Sequence, residues 1–462
     1  MAGHRFHPTI LREYDIRGTV GATLGEADAL ALGRAFGTVI RSEAGEGARY
    51  CVAYDGRRES PVFEDALIEG LTRSGINVVR IGMGPTPLLY FSVYHLSTAA
   101  GVMITGSHNP KDQNGFKLML GRSPYFGVGI ARLGEIAMAG DFAEGGGSVE
   151  EASVVRAYLD TLVGAWPAFS GNVKSVAWDP GNGAAGETTA ALTQRLPGRH
   201  VLINTTIDGT FPNHHPDPAV EENLTQLRKT VEIEECDLGI ALDGDGDRIG
   251  VIDEHGRILW PDQLLSVLAR EVLATRPGAM VIGDVKCSQA LFDEIARLGG
   301  KPVMWKTGHA LIKAKMADED APLAGEMSGH IFFADRYFGY DDALYAAVRL
   351  LAYLDHIGQT LAEVYDSLPH PVNTPEIRFE CSDERKFAVV DELCDRLRAD
   401  GADVTDIDGI RVTTPEGWWL VRASNTQAVL VARAEATDEV ALAKLQAEMA
   451  VQLQEAGIEA PW

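Results

Sequence analysis

Apolar residues along the chain follow two alternating periods. Runs such as "YCVAY" (50–54), "NVVRIGM" (77–83) and "GVMIT" (101–105) have the length and β-branched content of buried strands. Around them, "EADALALGRAFGTVI" (26–40) and "SPVFEDALIEGLTRSG" (60–75) space apolar positions three and four apart, which predicts helices. The βαβ pattern returns in "VKSVAWDPGNGAAGETTAAL" (173–192), "LGIALDGDGDRIGVI" (238–252) and "AMVIGDVKCSQALFDEIARLGG" (279–300). In three of these units the strand ends at an aspartate, Asp55, Asp179 or Asp284, which suggests repeated α/β domains with ligands near the carboxyl ends of the strands.

The pattern changes after "DSLPHPVNTPEIRFE" (366–380), where closely spaced prolines and Asn-Thr read as a linker. One helix over "ERKFAVVDELCDRLRADG", short strands "GIRVTT", "GWWLVRA" and "AVLVARAE", and a last amphipathic helix then predict a smaller α+β domain. The expected division is 1–152, 153–254, 255–368 and 369–462, and several domains suit a chain of 462 residues.

Composition narrows the class. With 45% hydrophobic and 23% charged residues the chain is that of an ordinary globular protein. No signal-peptide pattern and no apolar run of membrane-spanning length is present, so a cytoplasmic protein without a membrane partner is expected. Five scattered cysteines without C-x-x-C spacing argue against a disulfide framework or a zinc site. A formal net charge of -25 excludes nucleic acid as a natural partner, yet permits a small anion wherever basic residues gather locally.

Four short segments carry chemistry. "DGDGDR" places Asp243, Asp245 and Asp247 at alternate positions between glycines, an arrangement that lets three carboxylates face one hard cation. An EF-hand is excluded because its sixth loop position is Arg248 instead of glycine, and the flanks read as strands. Magnesium with a substrate phosphate fits better, with Arg248 beside it. In "ITGSHNP" (104–110), Ser107 suits a cap, an Asx-turn or a nucleophile, with Gly106 expected to supply an unusual turn. A serine-histidine hydrolase is disfavoured, since neighbours on an extended segment point to opposite faces and no G-x-S-x-G elbow occurs. A metal-assisted serine that carries a phosphoryl group needs neither feature. "AGEMSGH" (324–330) sets Glu326, Ser328 and His330 on alternate positions, either as a polar loop or as a reader of sugar hydroxyls. "VRASNTQAV" (421–429) offers Arg422, Ser424, Asn425 and Thr426, either as turn chemistry or as a phosphate cradle.

With these loops in this order, the chain resembles the α-D-phosphohexomutase superfamily, most closely its bacterial phosphomannomutase/phosphoglucomutase group. The resemblance implies four domains around a central cleft, the first three α/β with mixed sheets. It implies that Ser107 is phosphorylated and that Asp243, Asp245 and Asp247 hold Mg²⁺ with a phosphoserine oxygen. Glu326 and Ser328 would bind the sugar's 3- and 4-hydroxyls, and Arg422, Ser424, Asn425 and Thr426 the phosphate that is not reacting. "EYDIRG" adds Tyr14 and Arg17, "NGFKL" Lys117, "GDVKCS" Lys286 and "KTGHALIK" His309. The general base stays open among Lys117, His309 and His108. The implied reaction moves a phosphoryl group between the 1- and 6-positions of hexose phosphates through a hexose 1,6-bisphosphate, in a monomer. A phosphoglucosamine mutase and a catalytically inactive sugar-phosphate sensor are the rivals. Gln427-Ala428 replaces a proline common after "RASNT" in relatives, which should change loop stiffness more than chemistry.

Overall fold

Four sheets organise the chain in the computed structural model, which describes residues 3–173, 175–425 and 427–462. The first three share one plan. Strand Arg49–Tyr54 lies parallel to Asn77–Met83 and Ala100–Ile104, and Ala100–Ile104 then pairs antiparallel with Gln113–Leu120. In the second sheet Ser175–Asp179 lies parallel to Arg199–Leu202 and Leu238–Leu242, which is followed by antiparallel Ile249–Asp253. In the third, Met280–Asp284 lies parallel to Lys301–Trp305 and Leu323–Gly325, which is followed by antiparallel Ile331–Phe333. All three sheets are mixed.

This plan explains the recurring aspartate. Asp179 and Asp284 are the last residues of the topologically equivalent strand of their sheets, and Asp55 directly follows that strand in the first. The next parallel strand leads into a connection to its antiparallel partner, and that connection carries Ser107 in the first sheet, Asp243–Asp247 in the second and Glu326–His330 in the third. Three loops of different sequence therefore occupy one structural position.

The second sheet runs past residue 254, because Ile258–Leu259 adds antiparallel to Ile249–Asp253. The last sheet is antiparallel throughout, with strands Gly417–Ala423 and Val429–Ala436 at its centre. Helices Lys386–Ala399 and Glu439–Glu455 contribute Leu393, Leu445 and Met449 to a core built on Trp419.

The first three units are fused through a single apolar core that takes in Phe91, Trp178, Ile240, Val281, Phe333 and Leu344. Helix Thr86–His95 ("TPLLYFSVYH") sits inside it with residues Thr86 to Val93 all buried. Apolar on every side, it has no amphipathic stripe to announce it. The fourth unit has its own core and meets the third through Val285, Trp418 and Leu420. There the buried Arg411 donates to the carbonyls of Val285 and Cys287, both at 2.8 Å, while its guanidinium stacks 3.6 Å from the Trp418 ring centroid. No helix among the described residues is long and apolar enough to cross a membrane.

Candidate active site

The three equivalent loops and the turn after Ala423 meet around a cavity of about 510 Å³. Ser107 enters from the first sheet, only 1% exposed, with a backbone φ of 49°. A non-glycine residue in this left-handed region costs about 1–2 kcal/mol unless its surroundings impose it. Gly106, expected to make the unusual turn, has no positive φ; its role is spatial, because a Cβ there would lie 2.4 Å from the guanidinium carbon of Arg57. Ser107 Oγ donates to Asp243 Oδ2 at 2.8 Å. The approach requires Gly244, whose Cβ would stand 2.4 Å from the Ser107 carbonyl oxygen.

Asp243, Asp245 and Asp247 are fully buried, with one carboxylate oxygen from each lying within 4.8 Å of the others. Lys117 Nζ donates to Asp245 Oδ2 at 2.6 Å and to Asp247 Oδ2 at 2.5 Å. Burial and the two neighbouring aspartates push the Asp243 carboxyl well up, whereas Lys117 and Thr86 overcome burial to hold Asp245 below the usual carboxylate range. Asp245 Oδ1 and Asp247 Oδ1 are buried without a hydrogen-bond partner. Orphaned anionic oxygens at this density are costly unless a cation joins them, so the residues fit a hard divalent ion. The flanking strands form a hairpin, unlike an EF-hand, and Glu254, at what would be that motif's twelfth loop position, accepts from the backbone of Ala362 at 3.1 Å.

The third loop is stitched to the second. Arg248 and His330 form a backbone bridge, and Arg248 Nε donates to His330 Nε2 at 3.0 Å. The other ring nitrogen of His330 lies 2.9 Å from Asp341 Oδ2. Glu326 accepts from the Gly308 amide at 2.5 Å, and Ser328 Oγ donates to its other oxygen at 3.4 Å. Neither ring nitrogen of the partly buried His309 has a hydrogen-bond partner, and burial with Lys313 pushes that imidazole well below its ordinary range. Lys117 differs: burial opposes its charge, but Asp245 and Asp247 outweigh that and keep it protonated. His108 turns to the second unit, where its Nδ1 lies 2.9 Å from Asp217 Oδ2; burial and Arg248 press it down to about 3.

From the fourth unit, Arg422 is oriented by Asp408, with Nε at 3.0 Å and Nη2 at 3.2 Å from its oxygens. Ser424 Oγ accepts from the Gln427 amide at 3.2 Å. Asn425 Nδ2 donates to the Tyr14 hydroxyl at 2.6 Å, and Tyr14 donates to the Thr307 carbonyl at 2.9 Å, which joins the fourth, first and third units. Thr426 lies outside the described residues. Lys286 pairs with Glu376 at 2.9 Å, and Arg17 bonds Asp15 at 2.6 Å and Asn109 at 2.8 Å. Arg12, Arg17, Lys117, Arg248, Lys286, Arg378 and Arg422 line the cavity against Asp15, Glu326 and Glu376, so basic groups gather in it despite the acidic chain. Such a cleft attracts a small anion.

Sequence reasoning missed the supporting residues. Asp341, Asp408, Glu376 and Arg57 belong to no motif, and only the strand-end position of Asp55 drew attention to that region. Each acts through a partner far away in the chain.

Known proteins match this arrangement along the chain. Family models for phosphoglucomutase/phosphomannomutase α/β/α domain I match residues 8–124, domain II 156–256, domain III 260–372 and the C-terminal domain 376–452. A phosphomannomutase/phosphoglucomutase of Pseudomonas aeruginosa is 43% identical over 444 residues, covering 95% of this chain and 94% of that protein. A phosphoglucomutase of Neisseria gonorrhoeae is 42% identical over 448 residues, which is 95% of each chain. A crystal structure of a phosphoglucomutase/phosphomannomutase family protein from Burkholderia thailandensis superposes with a TM-score of 0.91 at 40% identity, covering 99% of this chain and 100% of the other. The mixed sheets, the three equivalent loops and the full-length match agree, and the chain belongs to the phosphoglucomutase/phosphomannomutase family of phosphohexomutases.

Proposed function

We propose that this enzyme interconverts the 1- and 6-phosphates of glucose and mannose, with Ser107 as the phosphoryl carrier. The observation that carries the reading is Ser107 Oγ held 2.8 Å from a metal-loop carboxylate in a basic cleft. Asp243, Asp245 and Asp247 would hold Mg²⁺ with an oxygen of the phosphorylated serine, and the bound ion would offset charge on the phosphoryl oxygens.

In the first half-reaction the free hydroxyl of a hexose monophosphate forms a bond to phosphorus as the bond to Ser107 Oγ breaks. The hydroxyl proton goes to His309, and the departing serine oxygen regains a proton from Lys117. This assignment rests on their states: His309 is neutral with both nitrogens unpartnered, whereas Lys117 is held as an ammonium. His309→Gln should lower kcat by about 10²–10⁴-fold with little change in KM, as steady-state kinetics would show. Wild-type kcat in that variant would return the role of base to His108 or Lys117.

The resulting hexose 1,6-bisphosphate turns end for end, and its other phosphoryl group returns to Ser107 with the proton transfers reversed. Arg422, Ser424, Asn425 and Thr426 hold the idle phosphate, assisted by Tyr14, Arg17 and Lys286, while Arg248, His108 and His330 line the reacting end. The fourth unit excludes water during the turn, swinging about the segment near residue 369. Support comes from its separate core and its polar tie to Tyr14. We place the functional units at 1–152, 153–259, 260–368 and 369–462, with the second boundary set by the strand Ile258–Leu259.

Glu326 and Ser328 read the 3- and 4-hydroxyls and leave position 2 unread, so both epimers should be substrates. The test is conversion of glucose 1-phosphate and mannose 1-phosphate to their 6-phosphates, with Mg²⁺ and a trace of glucose 1,6-bisphosphate. Turnover of one epimer alone refutes dual specificity, and preference for glucosamine phosphate makes the enzyme an amino-sugar mutase. A monomer in the cytoplasm completes the reading, and five free, buried cysteines suit that reducing compartment.

A further inference from the structure

Three buried side chains that do not line the cleft grip the Ser107 loop from behind. Arg57, 2% exposed, spreads its guanidinium beneath the loop. Its Nη2 donates to the carbonyls of Ser107 at 2.8 Å and Asn109 at 2.7 Å, and its Nη1 to those of Pro110 at 2.6 Å and Gln113 at 2.8 Å. Asp55 orients the guanidinium through Nε at 3.2 Å. The same Asp55 oxygen accepts from Thr105 Oγ1 at 2.8 Å and from the Gly106 amide at 3.1 Å, and Thr105 Oγ1 in turn accepts from the Ser107 amide at 2.8 Å.

Both backbone groups of Ser107 are therefore pinned, the N–H by Thr105 and the carbonyl by Arg57. The pinned residue is the one in the left-handed conformation, at φ 49°. The second unit closes over this device, with the Phe211 ring 5.2 Å from the guanidinium carbon and Gly209 against the Arg57 backbone, where a Cβ would approach to 2.5 Å. A lysine is a point charge on a flexible stem and cannot span four carbonyls, whereas the planar fork of arginine can.

We propose that Arg57, braced by Asp55 and Thr105, is a positioning residue for phosphoryl transfer, holding Ser107 in the backbone conformation that sets Oγ against Asp243. This rests on the reading of Ser107 as the phosphoryl carrier. The device sets the geometry of the reacting oxygen and touches no sugar, so it should act on the rate of transfer and leave substrate affinity alone.

The test uses the full chain with Arg57→Lys, Thr105→Val and the double variant. The rate of phosphoryl uptake by dephosphorylated enzyme from glucose 1,6-bisphosphate is followed by intact mass, beside KM for glucose 1-phosphate and the melting temperature. A misplaced reacting atom costs about 10²-fold, so Arg57→Lys should lose about that factor in uptake and kcat with KM unchanged. Thr105→Val should lose a smaller factor in the same quantities, with the melting temperature lowered by only a few degrees because two buried hydrogen bonds are lost. The double variant should match Arg57→Lys alone, because both changes release one conformation. Should Arg57→Lys fail to fold, Thr105→Val decides by the same measures: wild-type uptake, or a loss confined to KM, overturns the proposal. A wild type that takes up no phosphoryl mass overturns the serine reading and this inference with it. Wild-type uptake that the folded variants equal overturns the inference alone.

Discussion

Ser107→Ala is expected to lower mutase activity by on the order of 10⁴-fold or more while leaving the protein folded. The substitution removes one hydroxyl and its hydrogen bond to Asp243, worth about 1 kcal/mol of stability. The chemical loss is far larger, because the phosphoryl group would have nowhere to rest between the two half-reactions. Intact mass should show wild-type enzyme gaining one phosphoryl group from glucose 1,6-bisphosphate and the variant gaining none. Activity within tenfold of wild type would mean that the phosphoryl group is carried elsewhere.

Stripping divalent metal is expected to have the next largest effect, lowering kcat by about 10³-fold, with recovery on adding Mg²⁺. The physical reason is the charge density at the metal loop. Three fully buried carboxylates are answered by Lys117 and the neighbouring Arg248, and Asp245 and Asp247 each keep an oxygen with no hydrogen-bond partner. A cation that binds the folded state and not the unfolded one should also raise the unfolding free energy, by about 2.7 kcal/mol at one hundred times its dissociation constant. Thermal melts with and without Mg²⁺ check this independently of turnover. Equal activity in chelator and in Mg²⁺, with superimposable melts, would remove the metal from the reading. Asp245→Asn should weaken the Mg²⁺-dependent rise in melting temperature, since it removes one of the three charges.

The candidate site was legible in the sequence wherever its residues are neighbours in the chain. Asp243, Asp245 and Asp247 alternate within five residues, Glu326 and Ser328 sit two apart, and Ser107 stands in one short loop. Strands and amphipathic helices were legible for the same reason, since their periods repeat over a few residues. The strand-end aspartates signalled repetition, but the evidence that it is real lies in the equivalent strand order of three sheets.

What the tertiary structure alone decided is how distant residues hold these loops. Arg57 lies 50 positions before Ser107, and Asp408 lies 14 before Arg422. Tyr14 meets Asn425 across 411 positions. Gly106 shows the limit well: the sequence marks a glycine, which suggests unusual backbone, whereas the fold uses its missing side chain to admit a guanidinium from another strand end. Helix Thr86–His95 escaped notice because burial on all sides erases the stripe that marks a helix at a surface. Local periodicity and motif spacing record what a residue does with its neighbours in the chain; hydrogen bonds across a closed core depend on which strands the whole molecule brings side by side.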